Sequence, residues 1–307
     1  MKEREASYLS LLRSGELACR AEAAWALLSA CTLCPRQCGV DRLHGERGYC
    51  RSGADPKVSS FGPHYGEEPE LVGRYGSGTI FFSNCTMRCE FCQNYSISQE
   101  GAGQEVSCDD LAMMMLALQR QGCHNINFVT PTHYLPQILR ALMTAAERGL
   151  SIPLVYNTGG YDCVESLRLL DGVFDIYMPD AKYGDDETAR LLSHAPHYTR
   201  YMKPALLEMQ RQVGDLVVDE EGIAVRGLII RHLVLPDGLA GSREVFRFIA
   251  EEVSKDAYVN VMDQYRPMWH AAAGTAPCQE SLGRPLRREE YEEAVAEARR
   301  AGLHRGF

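Results

Sequence analysis

Short apolar runs alternate with amphipathic segments over most of this chain. The apolar runs predict six strands at 79–83, 126–129, 153–157, 174–179, 227–235 and 258–262. Apolar residues at helical spacing predict helices near 108–121, 135–149, 163–171, 185–213 and 242–254. This alternation indicates parallel strands joined by crossover helices, and six units suit a partial barrel better than a closed eight-stranded one. The expected fold class is α/β, with a partial (β/α)6 barrel.

The remaining segments follow other patterns. Residues 5–29 predict one or two short helices, and 286–302 predict a charged helix. Between residues 31 and 78 glycines and cysteines are frequent and periodicity is weak, which predicts a loop-like segment. Residues 215–218 and 223–225 predict a small hairpin before the fifth strand. Together these patterns predict three regions: a helical and Cys-rich N-terminal extension at 1–75, the barrel at 76–270, and a C-terminal tail and helix at 271–307.

Composition is that of a globular protein without affinity for polyanions. The 307 residues are 45% hydrophobic and 24% charged, with a formal net charge of −9. That charge gives no electrostatic support for binding nucleic acid or an anionic membrane. No apolar run is long enough to span a bilayer, and the start, Met-Lys-Glu-Arg-Glu, lacks the apolar core of a signal peptide. We therefore expect a cytoplasmic protein that contacts neither nucleic acid nor a membrane.

Seven of the twelve cysteines fall into two closely spaced groups. In a reducing compartment, such groups indicate metal or cluster ligands rather than disulfides. The first group is Cys31, Cys34, Cys38 and Cys50, and the second is Cys85, Cys89 and Cys92. The other cysteines are scattered and are expected to be ordinary thiols.

The second group forms a C-x3-C-x2-C motif directly after the first predicted barrel strand. Three thiolates on one loop can hold three irons of a 4Fe–4S cluster and leave the fourth iron open to a small molecule. Zinc or plain buried thiols are the alternatives, but structural zinc normally takes four protein ligands. The loop therefore favours an iron–sulfur cluster held by Cys85, Cys89 and Cys92.

The first group offers four thiolates within twenty residues. Pro35 and nearby glycines favour tight turns that bring sulfurs together. A closed structural site for zinc is the simplest interpretation of four ligands in a segment with few large apolar side chains. An auxiliary 4Fe–4S cluster is the main alternative, and free thiols are the third.

The cysteine loop, read as Asn-Cys-Thr-Met-Arg-Cys-Glu-Phe-Cys-Gln-Asn, resembles the radical S-adenosylmethionine (SAM) superfamily. Its surroundings are similar to the pyruvate formate-lyase activating enzyme-like branch, and the resemblance covers about 76–265. The Cys-x-Leu-Cys-Pro-Arg-x-Cys pattern at 31–38 resembles the N-terminal region of uncharacterised members of that branch. The resemblance implies that a reduced cluster cleaves SAM and that the resulting radical abstracts a hydrogen atom. It also implies an electron donor such as a flavodoxin or ferredoxin, and a glycyl-radical protein as a candidate substrate.

Polar residues at the predicted strand ends are the candidate SAM ligands, because a β/α barrel places its chemistry there. The strand ends Asn157-Thr-Gly-Gly160 and Met178-Pro-Asp180-Ala-Lys182 resemble SAM-binding segments of the activating enzymes, although those carry aspartate at the position of Asn157. Thr130 lies where most of the superfamily has a Gly-Gly-Glu-like turn, and Thr-Pro-Thr is equally compatible with a helix cap. A surface ion pair is the alternative for Asp180 and Lys182. Arg231, amid aliphatic residues, needs a charged partner, for which the resemblance suggests SAM.

These features favour a radical SAM oxidoreductase of the activating-enzyme-like group. A radical SAM enzyme that modifies a small molecule or a peptide is the alternative within the superfamily. A non-catalytic metal-binding protein is the alternative from another class. It requires four protein ligands at each metal, whereas the loop after the first barrel strand offers three.

Overall fold

The computed structural model describes residues 5–307 and contains one mixed sheet whose centre is parallel. Residues 1–4, on which part of the argument against a signal peptide rests, lie outside the described residues. In chain order the strands are β1 (Lys57–His64), β2 (Ser77–Phe82), β3 (Gln104–Glu105), β4 (Ile126–Val129), β5 (Leu154–Thr158), β6 (Ile176–Pro179), β7 (Val217–Val218), β8 (Ala224–Leu233) and β9 (Tyr258–Met262).

Six of these strands form the predicted parallel series. The order along the sheet is β3-β1-β2-β4-β5-β6-β8-β7, and β9 pairs with β8. The pairs β2–β4, β4–β5, β5–β6, β6–β8 and β8–β9 are all parallel, and the sheet does not close on itself. Parallel pairing aligns the carboxyl ends of these strands at one edge. The prediction of a partial (β/α)6 barrel is confirmed.

Helices connect the strands and cover the sheet. In chain order they are α1 (Tyr8–Ser14), α2 (Glu16–Ala26), α3 (Pro69–Val72), α4 (Tyr95–Ser98), α5 (Cys108–Arg120), α6 (Leu135–Glu147), α7 (Val164–Arg168), α8 (Asp186–Ser193), α9 (Tyr198–Val213), α10 (Ser242–Phe248), α11 (Trp269–Ala273), α12 (Gln279–Leu282) and α13 (Arg288–Arg300). None of the helices within 5–307 combines the length and apolar character that a membrane crossing requires.

Two local predictions were wrong. The segment 185–213 was expected to be helical throughout, but it is divided into α8 and α9 because His194 and His197 adopt left-handed backbone conformations, with φ of 49° and 57°. The segment 31–78 was expected to be loop-like, yet it contributes β1, which pairs antiparallel with β2 at the sheet margin. Exposure of Phe61 and other residues of β1 explains why its apolar pattern is weak.

The chain between β1 and β2 enters the barrel. Leu71 of α3 is fully buried in a cluster with side chains of three barrel strands: Val155, Ile176, Met178 and Ile229. Asn125 donates its side-chain N–H to the Leu71 carbonyl at 2.9 Å. Residues 67–72, which we call the barrel plug, therefore enter the barrel interior and bring Glu67 and Glu68 close to Arg231.

Candidate functional site

The three-cysteine loop begins at the carboxyl end of β2 and is held by backbone hydrogen bonds. Asn84, which precedes Cys85, has a φ of 71° and donates its N–H to the Ile97 carbonyl at 2.9 Å. Further along the loop, Arg88 N donates to Ser193 O at 3.0 Å, and Glu90 N donates to Leu192 O at 2.9 Å. The end of α8 therefore fixes the course of the loop on both sides of Cys89.

Each of the three sulfurs lies beside a group that can donate a hydrogen bond. Met87 N donates to Cys85 Sγ at 3.3 Å, Ser193 Oγ donates to Cys89 Sγ at 3.0 Å, and Cys92 Sγ lies 3.2 Å from Ser98 Oγ. Such contacts stabilise thiolate charge, which is the form that binds metal.

The thiols of this loop also influence one another. Burial, with a smaller contribution from neighbouring Cys89 and Cys92, raises the pKa of Cys85 to about 12. Burial likewise raises the pKa of Cys89 to about 11, against the opposing effect of Lys182. Buried thiols of this kind lose their protons when a metal supplies the compensating positive charge. The donor set therefore fits a thiolate-bound cluster.

Asp180 and Lys182 lie at the carboxyl end of β6 and reach the cysteine loop. Lys182 Nζ contacts Asp180 Oδ2 at 2.5 Å, and both side chains are largely buried. A Cβ added to Gly159 would lie 3.1 Å from Met87 Sδ and 3.6 Å from Lys182 Cε, so the end of β5 packs against both. The alternative of a surface ion pair is therefore wrong, because the pair is buried.

Tyr198 of α9 supports this strand end. Its hydroxyl lies 2.8 Å from Asp180 O and 2.9 Å from Gly159 O, and it accepts the Lys182 N–H at 3.0 Å. The hydroxyl thereby joins the ends of β5 and β6, which hold the candidate SAM ligands. Sequence reasoning missed Tyr198, because nothing in a helical tyrosine signals this contact.

Arg231 of β8 lies at the centre of a buried charge cluster. Its Nε donates to Asp180 Oδ1 at 2.9 Å, and its Nη2 donates to Asn157 Oδ1 at 2.8 Å. Its Nη1 lies 3.7 Å from Glu67 Oε2 and 3.9 Å from Glu68 Oε1. Protein carboxylates, two of them missed by sequence reasoning, therefore supply the charged partner that Arg231 requires.

The charges in this cluster act on one another. Burial would raise the pKa of Asp180, but Arg231 and Lys182 outweigh burial and hold that pKa below its ordinary value. Asp180 is therefore ionised at neutral pH. Burial raises the pKa of Glu67 from 4.5 to about 7, with Arg231 opposing the rise and Glu68 adding to it.

The raised pKa of Glu67 predicts a pH dependence of stability. Because the pKa is higher in the folded than in the unfolded protein, the contribution of Glu67 is fully present below pH 4.5 and is lost as the pH rises through 7. Glu67→Gln removes the ionisable carboxyl group, so the variant does not lose this stability as the pH rises. We expect the variant to gain about 1–3 kcal/mol in free energy of unfolding relative to wild type between pH 5 and pH 8. Urea denaturation at several pH values measures this, with exposed Glu220→Gln as control, and parallel wild-type and Glu67→Gln profiles would contradict it.

The two threonines after β4 have different environments. Thr130 has a φ of 59°, a strained conformation for a β-branched residue, and its N–H donates to Asn157 O at 2.8 Å. Thr132 Oγ1 donates to buried Asp162 Oδ1 at 2.7 Å, and Thr158 Oγ1 donates to Asp162 Oδ2 at 2.7 Å. The helix-cap alternative was wrong, because α6 starts without a side-chain cap. Thr130 therefore lies beside Asn157 at the strand edge, whereas the Thr132 hydroxyl binds a buried carboxylate.

The four-cysteine element folds around a small cavity. Cys31, Cys34, Cys38 and Cys50 all line it, together with Arg42 and His133, and it offers about 10 Å³ to the centre of a water molecule. Burial raises the pKa of Cys34, and Cys50 and Cys31 add to the rise. Within residues 5–307, no three Cys, His, Asp or Glu side chains stand at the distances of a single-ion site.

Arg42 is a buried cation of this element. It is 1% exposed, and its guanidinium donates to the Gly53 carbonyl at 2.7 and 3.0 Å and to the His133 carbonyl at 2.8 Å. Its Nη1 also lies 3.9 Å from Cys31 Sγ. Sequence reasoning did not single out Arg42, although an arginine between two cysteines of a metal motif was a usable signal.

Comparison with known proteins gives one family and one long relative. The family model described as the radical SAM superfamily matches residues 79–220. The uncharacterized protein MJ0674 of Methanocaldococcus jannaschii is 33% identical over 305 residues, which cover 96% of this chain and 82% of that protein.

Solved structures of HydG align with part of this chain. The crystal structure of HydG, a maturase of the FeFe-hydrogenase, aligns with a TM-score of 0.48 and 13% identity, covering 73% of this chain and 49% of that one. HydG from Carboxydothermus hydrogenoformans aligns with a TM-score of 0.46 and 10% identity, covering 73% of this chain and 50% of that one. This chain therefore matches about half the length of each HydG chain.

Proposed function

Because this chain belongs to the radical SAM superfamily, we propose that Cys85, Cys89 and Cys92 bind a 4Fe–4S cluster with one iron open to SAM. The observation that supports this most directly is the short loop after β2, on which each of the three thiols lies beside a group that can donate a hydrogen bond. When bound and reduced, such a cluster supplies the electron that splits SAM into methionine and a 5′-deoxyadenosyl radical, which abstracts hydrogen.

The protein contributes orientation around this cluster. Lys182 and Asp180 offer adjacent opposite charges, which suit the carboxylate, ammonium and ribose groups of SAM. Arg231 and Asn157 lie directly beside them, and Thr130 N is bonded to Asn157 O. Their contacts are already formed within the protein, so SAM meets side chains held in place by Tyr198 and the barrel plug. Preorganised dipoles and charges of this kind lower the cost of orienting a bound ligand.

The finer assignment is activation of a glycyl-radical protein, with a flavodoxin or ferredoxin as electron donor. Its support is the similarity of the segments around Asn157 and Asp180 to those of the activating enzymes. The alternative is a small-molecule or peptide substrate. The two differ in the product, because activation leaves a radical on the backbone of a partner protein, whereas the alternative releases a modified small molecule or peptide.

The proposal is tested by anaerobic reconstitution with iron and sulfide, reduction with dithionite and addition of SAM. We expect 5′-deoxyadenosine and methionine in equal amounts, because one sulfonium bond is broken per electron delivered. Protein without reductant is the control and should release neither product. Iron-loaded, reduced protein that leaves SAM intact would overturn the proposed function.

A further inference from the structure

The four-cysteine element and the cluster loop meet at the ring of Tyr49. Tyr49 N donates to Cys38 Sγ at 3.4 Å, and Tyr49 O accepts from Arg88 Nη2 at 3.3 Å. The ring lies between two guanidinium groups, with Arg36 Cζ 3.6 Å and Arg88 Cζ 4.4 Å from its centroid. Because Arg36 lies between cysteines of the first group and Arg88 between cysteines of the second, the ring of Tyr49 contacts both loops.

The contact is reciprocal, so it ties the two loops together. Arg36 Nε donates to the Thr86 carbonyl at 3.0 Å, and its Nη2 reaches the carbonyl of His194. Arg88 makes the return contact to the Tyr49 carbonyl.

Three arginines around these cysteines lack a carboxylate partner. Across residues 5–307, no ion pair with a carboxylate involves Arg36, Arg42 or Arg88. Arg42 is nearly completely buried, and a buried cation without an anion is strongly unfavourable. Ionised thiolates are the anions that the surroundings can supply. The charge pattern thus favours a metal centre over neutral thiols at Cys31, Cys34, Cys38 and Cys50.

The spacing of the thiols distinguishes the kind of centre. In the described part of the chain, no three Cys, His, Asp or Glu side chains stand at the distances of a single-ion site. A tetrahedral zinc site requires four sulfurs about 2.3 Å from the ion. The four thiols that line the cavity are not arranged for one zinc ion, whereas a cubane cluster places its ligating sulfurs farther from the centre.

We propose that Cys31, Cys34, Cys38 and Cys50 bind a second 4Fe–4S cluster, with Arg42 as its buried counter-charge and Tyr49 separating it from the catalytic cluster. Four thiolates around a cubane core of charge +2 give a net charge of about −2, which one guanidinium partly neutralises. The proposal rests on the proposed function only for the identity of the other cluster.

Metal analysis of the full-length Cys85→Ser/Cys89→Ser/Cys92→Ser variant tests the second cluster. After anaerobic reconstitution, we expect about four irons per chain and no zinc, with the absorption and Mössbauer spectra of a 4Fe–4S centre. About one zinc without iron overturns the proposal, and so does a folded protein with neither metal. The matched control is Cys19→Ser/Cys278→Ser, which removes exposed thiols and should retain about eight irons. A reconstituted, reduced wild-type protein that does not cleave SAM would contradict the proposed function, but it would leave the iron count of the triple variant unchanged.

The adjacency and the counter-charge have their own readouts. Because Tyr49 contacts both loops, the two proposed clusters should lie close enough to interact magnetically. The electron paramagnetic resonance spectrum of reduced wild type should therefore differ from the sum of the spectra of the triple variant and of Cys31→Ser/Cys34→Ser. Spectra that add without change overturn the adjacency of the two clusters.

Arg42→Met should lower the reduction potential of the second cluster, because removing a nearby cation favours the less negative, oxidised state. Arg42→Lys should restore most of the potential, and exposed Arg47→Met should not change it. A potential unchanged in Arg42→Met overturns the role of Arg42.

Discussion

Replacing Cys89 by serine is expected to abolish SAM cleavage, because one of three cluster ligands is lost from a site with no spare thiol on the loop. The rate of 5′-deoxyadenosine release should fall by at least about three orders of magnitude, since the radical chemistry belongs to the cofactor rather than to the protein. Cys89 is the proposed ligand whose sulfur accepts the Ser193 hydrogen bond and lies near Lys182. Iron content, visible absorption and product release measure the effect in the same preparation.

Cys278→Ser is the control for the loss of a thiol. Cys278 is exposed and belongs to neither cysteine group, so iron content and product release should match wild type. Normal turnover by Cys89→Ser in protein without iron at this loop would refute the cluster mechanism. Ser193→Ala tests the hydrogen bond separately, because it removes the donor and keeps all three ligands.

Replacing Arg231 by methionine should both destabilise the protein and weaken SAM binding. Arg231 is the buried cation shared by Asp180, Glu67 and Glu68, so its removal leaves carboxylates uncompensated. Breaking a buried ion pair by removing one partner costs about 3–5 kcal/mol. Urea denaturation measures the loss of stability, and equilibrium dialysis of reconstituted protein measures the loss of affinity, which we expect to be at least about tenfold.

Two variants isolate the cause of that effect. Arg231→Lys retains the charge but not the forked hydrogen bonds, so it should recover part of the stability. Arg190→Met removes an exposed partner of Glu187 and should cost less than about 1 kcal/mol. An Arg231→Met protein as stable as wild type would show that the barrel charges do not depend on this guanidinium.

The central strands were predictable because their signals are local. The strands at 126–129 and 258–262 have the bounds expected from the sequence, since each is a short apolar run followed by polar residues. The marginal strand β1 was not predictable, because exposed residues on a sheet margin remove the alternation by which strands are found. Local pattern likewise did not reveal the left-handed turns that divide α8 from α9.

The candidate site was likewise predictable from the sequence only in part. The sequence alone reveals two motifs, because their residues are close together in the chain: the spacing of Cys85, Cys89 and Cys92, and the segment Asp180-Ala-Lys182. Their roles as cluster and SAM ligands stay predictions that the experiments above address. The domain boundaries near 75 and 270 also stay predictions.

What the tertiary structure alone decided is which groups meet. Arg231 bonds Asp180 and Asn157 from 51 and 74 residues away, and the barrel plug brings Glu67 and Glu68 from the far end of β1. Tyr198 and Ser193 reach the site from helices whose sequence shows only an amphipathic pattern. Ligand spacing and strand periodicity are properties of neighbours in the chain, so the sequence alone determined them. Burial and charge pairing depend on distances that exist only after the chain has folded, so only the tertiary structure decided them.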